Sequence, residues 1–308
     1  WTESSVYWAL VNSRVVQATI QNFSATKYRD LAMPVPTLPE QRAIAAFLDR
    51  ETAEIDVLIA KKERLIELLQ EQRASVITRA VTKGLDPDVP LKDSGVEWLG
   101  KISAHWEAKR IKFVGRVGNG STPSRENPEY WGGEYPWLNS SVVNLREVCE
   151  GSDFVTELAL AECHLPRVTP PAVLVGITGE GRTRGMATLL RIEATLSQHL
   201  AYIKPTVGHD VNYIGYAFES AYQLLRDESG RGGSTKGALT CEQLGELVIP
   251  APPEPEQRAI AAFLDEQTSK LDALIAKVRE AIRHLTELRT ALISAAVTGK
   301  IDVRSEVA

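Results

Sequence analysis

Two long segments of the chain carry apolar residues at alternating spacings of four and three, interrupted only by Lys62, Arg73 and Arg289. This spacing is typical of a coiled-coil seam, in which one stripe of a helix packs against a second helix. The two segments are therefore predicted to pack on each other, although two helices of an ordinary bundle would give the same pattern. The predicted seam residues are Ile55, Ile59, Ile66, Leu69 and Val76 in the first segment, and Leu271, Ile275, Val278, Ile282, Leu285 and Leu292 in the second.

The two segments are copies of one repeat. The stretch PEQRAIAAFLD occurs at 39–49 and again 216 positions later, at 255–265. Prolines precede each copy. The first glycine after the first patterned segment is Gly84, and the first after the second is Gly299. Proline is favoured in the first turn of a helix and glycine just after its end, so each copy predicts a proline turn followed by a long helix.

Between the helices, residues 91–253 have the pattern of an α+β domain. Short runs rich in β-branched and aromatic residues, AVLVGIT (172–178) and LAYIKP (200–205), predict strands. The stretch 212–228 has helical periodicity instead. The predicted fold class is α+β, with a mixed sheet and short helices, to which the two long helices are added.

Three loops of this domain combine small, polar and basic residues: 116–133, 178–187 and 229–240. Such loops can bring backbone N–H groups and arginines close to phosphates and base edges, although each loop taken alone could be an ordinary surface turn. The candidate DNA-binding residues are Arg116, Asn119, Ser121, Thr122, Arg125, Arg182, Arg184, Arg231 and Lys236. Arg182 and Arg184 are favoured for base contacts, because the glycines around them let the backbone approach a groove.

Composition changes this picture little. The chain has 308 residues, of which 44% are hydrophobic and 24% charged, as in a globular protein with a core. We find no transmembrane run, no secretory signal and no pattern of the three cysteines that suggests disulfides or zinc. The formal net charge of −5 opposes nucleic-acid binding, but residues 101–125 hold six Lys or Arg against one acid. A local basic face counts for more than the total charge.

Two patterns of catalytic type occur, and neither has the surroundings it needs. Asp88, Glu107 and Lys109 fit the loose pattern of a metal-dependent nuclease, but Asp88 follows a helix and not a sheet. NPEY (127–130) resembles the Asn-Pro-Pro-Tyr motif of adenine methyltransferases, with Glu129 in place of the second proline. We therefore predict a protein without catalytic residues, a bound metal or a cofactor.

The repeat resembles a known family. DLAMPVPTLPEQRAIAAFLD (30–49) followed by a long helix is similar to the end of a target recognition domain and the helical spacer of type I restriction–modification specificity (S) subunits. LKDSGVEWLGKISAHWEAKRIKFV (91–114) resembles the opening of the second recognition domain in that family. NGSTPSRENPEYWGGEYPWLNSSVV (119–143) resembles its Gly-x-Thr-Pro-Ser and Tyr-Trp-Gly-Gly stretch.

The resemblance implies two recognition domains held apart by two antiparallel helices, each domain reading half of an interrupted sequence in double-stranded DNA. It implies a cytoplasmic protein whose partners are methyltransferase (M) subunits docked on the helices and restriction (R) subunits bound to that core. The helices could also self-associate. S-adenosylmethionine would belong to the M subunits, and Mg²⁺ and ATP to the R subunits.

The resemblance also divides the chain into parts. These are a C-terminal remnant of the first recognition domain (1–38), the first spacer helix (39–86), the second recognition domain (87–253), the second spacer helix (254–303) and a tail (304–308). Most of the first domain has no counterpart in the sequence, so we expect a truncated subunit. Two alternatives stay open: a specificity module of a fused restriction–methylation enzyme, and a coiled-coil assembly protein without sequence-specific DNA binding.

Overall fold

The computed structural model describes residues 1–14, 24–179, 181–230 and 237–303. The helices are α1 (Ser5–Arg14), α2 (Ala25–Arg29), α3 (Leu38–Lys83), α4 (Ile111–Val114), α5 (Glu157–Glu162), α6 (Val211–Ser220), α7 (Tyr222–Gly230), α8 (Cys241–Glu246) and α9 (Glu254–Val297). Short 3-10 turns occur at Pro128–Tyr130 and Ser140–Asn144. No helix in these ranges has an apolar stretch sufficient to cross a lipid bilayer.

The strands are short. They are β1 (Leu91–Asp93), β2 (Lys101–Ser103), β3 (Glu107–Arg110), β4 (Gly115–Asn119), β5 (Trp131–Leu138), β6 (Glu147–Val148), β7 (Asp153–Val155), β8 (Ala172–Gly176), β9 (Ala187–Leu190), β10 (Thr195–Leu196), β11 (Leu200–Pro205) and β12 (Val248–Ala251). The strands predicted over 172–178 and 200–205 are confirmed as β8 and β11, and the helical stretch 212–228 forms α6 and α7.

The chain divides into two compact units. The first consists of Trp1–Glu71 and Lys270–Ala308, and the second of Gln72–Ser269. Each long helix contributes one part to each unit. This division differs from the sequence-based domains, whose boundaries fall at the ends of the helices.

The second unit is built on a five-stranded mixed sheet in the order β4-β11-β8-β9-β6. Within the described part of this sheet, β6 and β9 pair in parallel and the other neighbouring strands are antiparallel. The central strand β8 is buried along its length because both faces of the sheet are covered. Val173 and Val175 join one hydrophobic cluster, while Ala172 and Leu174 join another. This alternation follows from the two-residue period of a strand.

Smaller sheets complete the second unit. A three-stranded sheet has the order β10-β5-β7, and two-stranded ladders join β1 to β2 and β3 to β12. Tyr213 of α6 connects distant elements, since its hydroxyl lies 3.2 Å from Val81 O and 3.0 Å from Pro250 O. Burial raises the pKa of the Tyr213 phenol well above its ordinary value, so the phenol keeps the proton that it donates.

In the first unit, α3 and α9 pack side by side. Phe47, near the start of α3, shares a hydrophobic cluster with Ala296, near the end of α9. Further along α3, Asp56 Oδ1 accepts a hydrogen bond from Arg289 Nε at 3.0 Å. The helices therefore run antiparallel, and the expected α+β class with two long antiparallel helices is confirmed.

Candidate nucleic-acid interface

Several loops leave the five-stranded sheet at the same edge. In the antiparallel ladders, Asn119 at the end of β4 lies opposite Ala201, and Gly176 at the end of β8 lies opposite Leu200. The chain after α7 returns here as well, because Leu239 N donates to Ile177 O at 2.8 Å. We call this region the loop edge; it comprises residues 119–125, 177–179, 181–186, 196–199 and 237–240. Thus described parts of all three predicted loops converge.

The backbone of the 119–125 segment is fixed against the neighbouring strand. Gly120 N donates to Leu200 O at 3.2 Å, and Ser121 N donates to Leu196 O at 2.8 Å. A Cβ atom at Gly120 would lie 1.9 Å from Leu196 O, so only glycine fits at this close approach. The side chain of Trp137 also holds the segment, since its Nε1 donates to Ser121 O at 3.1 Å.

Arg125 is presented by two tryptophans. Its guanidinium carbon lies 3.8 Å from the Trp131 ring centroid and 5.2 Å from that of Trp137, and the two rings meet edge to face. Asp153 Oδ2 is 3.8 Å from the guanidinium. Stacking on aromatic faces orients an arginine while its exposed N–H groups stay available to an acceptor. The two tryptophans thus hold the Arg125 guanidinium in place.

Arg182 and Arg184 differ in their surroundings. Arg182 is exposed, and its carbonyl accepts a hydrogen bond from Tyr222 Oη at 2.8 Å. Arg184 is half-buried, and its Nη1 donates to Gly179 O at 3.1 Å and to Gly237 O at 2.9 Å. Arg184 therefore joins two segments of the loop edge, and Arg182 is the one whose side chain is presented to solvent.

The remaining candidates lie elsewhere or outside the described residues. Arg116 is exposed near the other end of β4, about 10 Å from Asn119 at the usual strand rise, and lines a shallow groove with Lys112 and Glu246. The structure therefore does not bring Arg116 to the loop edge. Arg231 and Lys236 lie outside the described residues.

Sequence reasoning missed the 196–199 segment, which lies between the 119–125 and 177–186 segments. Gln198 and His199 are exposed there, directly before a buried strand. The signal was a run of three polar residues, Ser197, Gln198 and His199, between Leu196 and Leu200. It was overlooked because these residues carry no positive charge and no glycine.

The motifs of catalytic type have structural roles. Asn127 caps the 3-10 turn Pro128–Tyr130, since its Oδ1 accepts from Glu129 N at 3.1 Å. Asp88 lies in a turn after α3. Across the ranges that the structure describes, no group of three or more His, Cys, Asp or Glu could hold a metal ion.

The predicted seam residues are all buried or half-buried along α3 and α9. Four other large apolar residues in the middle of α3 are exposed: Val57, Leu58, Leu65 and Leu68. At about 100° per residue, these four fall within a quarter to a third of a turn and are centred about 100° from the seam. We call them the α3 stripe. The long helix thus has a covered apolar face and an uncovered one.

Comparison with known proteins identifies one family. The profile of the type I restriction modification DNA specificity domain matches residues 104–284. The MjaIX specificity subunit of Methanocaldococcus jannaschii is 34% identical over 171 residues, which are 54% of this chain and 38% of that protein. The EcoKI specificity subunit of Escherichia coli is 22% identical over 98% of this chain and 64% of its own length. The chain therefore spans less than two thirds of these relatives.

Solved structures show the same fold. One chain aligns with a TM-score of 0.75 and 17% identity; it comes from a structure that reports the complex assembly and conformational transition of the type I R-M system. The alignment covers 96% of this chain and 68% of that one. The HsdS subunit of Thermoanaerobacter tengcongensis aligns with a TM-score of 0.53, also at 17% identity, over 97% of this chain and 68% of its own.

Proposed function

Because the chain belongs to the family of type I restriction–modification specificity subunits, we propose that its second unit reads one half-site of an interrupted DNA target through the loop edge. The chain itself performs no chemistry; methyltransferase subunits docked on it supply S-adenosylmethionine and methylate the DNA. In this proposal residues 87–253 are the reader, 39–86 and 254–303 are the spacer helices, and 1–38 belong to a first recognition domain.

The observation that carries the proposal is the convergence of Arg125, Arg182 and the polar residues of three loops at one sheet edge. Arginine presents a planar fork of donors that matches guanine O6 and N7 as well as phosphate. Asn119 and Ser121 add neutral donors and acceptors on a segment whose backbone is already fixed. Because these groups are exposed and already held in place, they can contact bases in a DNA groove without the entropy loss of ordering a loop on binding.

Methylome sequencing tests this proposal in cells that express the chain with its methyltransferase subunits. We expect methylation at one interrupted motif, and loss or relaxation of one half of that motif when Arg125→Ala and Arg182→Ala are combined. The control is Arg167→Ala, which removes an exposed arginine of the same unit outside the loop edge and should keep the motif. An unchanged motif in the double variant would contradict the assignment of the loop edge.

For the docking of methyltransferase subunits, the α3 stripe is the proposed contact. Its four residues are apolar and exposed, with Lys61 between them, and by helical periodicity they lie on a different face from the predicted seam. Several exposed apolar residues on one face of a long helix mark a protein–protein interface more often than an isolated exposed leucine does. A helix of the partner laid along this stripe would bury it.

Co-purification tests the docking proposal. Leu65→Glu combined with Leu68→Glu should abolish retention of the methyltransferase subunit, because two charges would be buried in an apolar contact. Ala53→Glu with Ala60→Glu is the matched control, since both alanines are exposed on the side of α3 that faces away from the seam. Equal retention by the two double variants would show that the stripe is not the contact.

A further inference from the structure

Two exposed polar residues, Gln198 and His199, occupy the middle of the loop edge between fully buried neighbours. Ser197 and Leu200 on either side are 1% and 0% exposed. The backbone is anchored as well, since Ser197 N donates to Leu138 O at 2.8 Å and Ile177 N donates to His199 O at 3.0 Å. The segment is therefore a rigid support that presents two side chains to solvent.

Both side chains are oriented by threonines of the adjacent loops. Thr122 Oγ1 donates to Gln198 Oε1, and Thr178 Oγ1 lies 2.7 Å from His199 Nδ1. Among the described residues, these bonds engage Gln198 Oε1 and His199 Nδ1, so that Gln198 Nε2 and His199 Nε2 remain on the exposed side chains without one. Each side chain is thus held at one atom and leaves another polar atom available.

The bonds to the two threonines join neighbouring loops, but the exposed atoms of Gln198 and His199 add little to the core and stay available to a ligand. The arrangement suits recognition, since Gln198 Oε1 keeps a second lone pair that can accept from adenine N6 while Nε2 donates to adenine N7 in the major groove. We propose that Gln198 and His199 are base-reading residues, with Gln198 selecting adenine and Thr122 and Thr178 positioning them. The inference rests on the proposed function, since it names the specificity residues of that same interface.

The substitution Gln198→Glu is the sharpest test. A glutamate keeps the oxygen that accepts from Thr122 and replaces the amide donor by an acceptor, which suits cytosine N4 instead of adenine. Duplexes selected from a randomised library by the full chain should show adenine at one position for the wild type. For the variant, that preference should change by about tenfold in favour of cytosine, with the other positions unchanged. Gln70→Glu, at an exposed position of α3, is the control for the added charge.

Two further variants keep the inference falsifiable if the glutamate reduces binding. Gln198→Ala should relax the same position, and His199→Ala should relax a neighbouring one, each without altering the salt dependence of binding. Selection of identical bases by wild type and variants, or an equal loss for all sequences, would overturn the inference while the proposed function stands. A wild-type chain that selects no sequence at all would overturn both.

Discussion

The same eleven residues begin both long helices, yet the two copies lie in different surroundings. In each copy the glutamine Nε2 donates to the carbonyl five residues earlier, from Gln41 to Pro36 and from Gln257 to Pro252, at 2.8 Å in both. Gln257 is 1% exposed and also accepts a hydrogen bond from Asp210 N at 2.8 Å, whereas Gln41 is exposed. Local sequence therefore fixes the local hydrogen bond, and the rest of the unit decides burial.

The residues just before the helices differ more strongly. Ile249 lies in β12, opposite Lys109 of β3, and is 1% exposed. Its counterpart Met33 lies outside any strand and is 54% exposed. Among the described residues, this extended sequence forms a buried strand in the second copy, where β3 satisfies its backbone hydrogen bonds.

At one position of the repeat, the residue of the first copy is the more buried one. Phe47 is 8% exposed because it packs against the end of α9, while its counterpart Phe263 is 37% exposed. One ion pair is repeated between the copies: Arg289 lies 3.5 Å from Glu3, and Arg73 pairs with Glu219. The repeat therefore preserves the helix and its charged partners, and it adapts the apolar surface to each unit.

The largest predicted effect concerns the seam that both copies share. Ile59→Asp combined with Ile275→Asp should cost at least about 3 kcal/mol in the free energy of unfolding of the first unit, because each change buries an unpaired charge. Urea unfolding followed by circular dichroism at 222 nm measures this cost. Leu58→Asp with Leu274→Asp, at the exposed neighbouring positions, is the control. Equal effects of the two pairs would mean that the helices do not meet at the seam.

The second prediction separates the two copies at an identical position. Ile260→Ala should lower the free energy of unfolding by about 2–5 kcal/mol, since Ile260 is almost fully buried in the main core. Ile44→Ala should cost about half as much or less, because Ile44 is only half-buried. Thermal unfolding of the two single variants checks this. Similar shifts in both would contradict the difference in packing.

The third prediction concerns the repeated glutamine. Gln257→Ala should cost about 1–3 kcal/mol, because it leaves the half-buried N–H of Asp210 and the buried carbonyl of Pro252 without a partner. Gln41→Ala should change stability by less than about 0.5 kcal/mol, since water can replace its hydrogen bond. Hydrogen exchange at the Asp210 amide is a local readout; it should accelerate in the first variant and stay unchanged in the second.

The smallest predicted effect is in the repeated ion pair. A double-mutant cycle with Arg73→Ala and Glu219→Ala should give a coupling energy of at most about 1 kcal/mol. The same cycle at Arg289 and Glu3 should give less, because Glu3 is more exposed than Glu219. A larger coupling at Arg289 would indicate that exposure does not govern these pairs.

Local signals in the sequence predicted much of the fold. Gly84 and Gly299 follow the helix ends with φ values of +82° and +71°, as the glycines indicated. The sustained spacing of four and three predicted the long helices, and β-branched runs predicted β8 and β11. The loop edge was only partly predictable, because its assembly depends on contacts between residues far apart in sequence. The bond from Arg184 to Gly237 and that from Thr122 to Gln198 are examples.

Photo-crosslinking of duplex DNA to the full chain tests the central claim most directly. A photoreactive amino acid at position 182 lies at the loop edge. The matched control carries the photoreactive amino acid at position 207, just after the opposite end of β11. Val207 is fully exposed there. The account predicts crosslinks from position 182 that a matching unlabelled duplex competes away, and none from position 207. Equal crosslinking from both positions, or crosslinking from 207 alone, would contradict the claim that this edge of the sheet reads DNA.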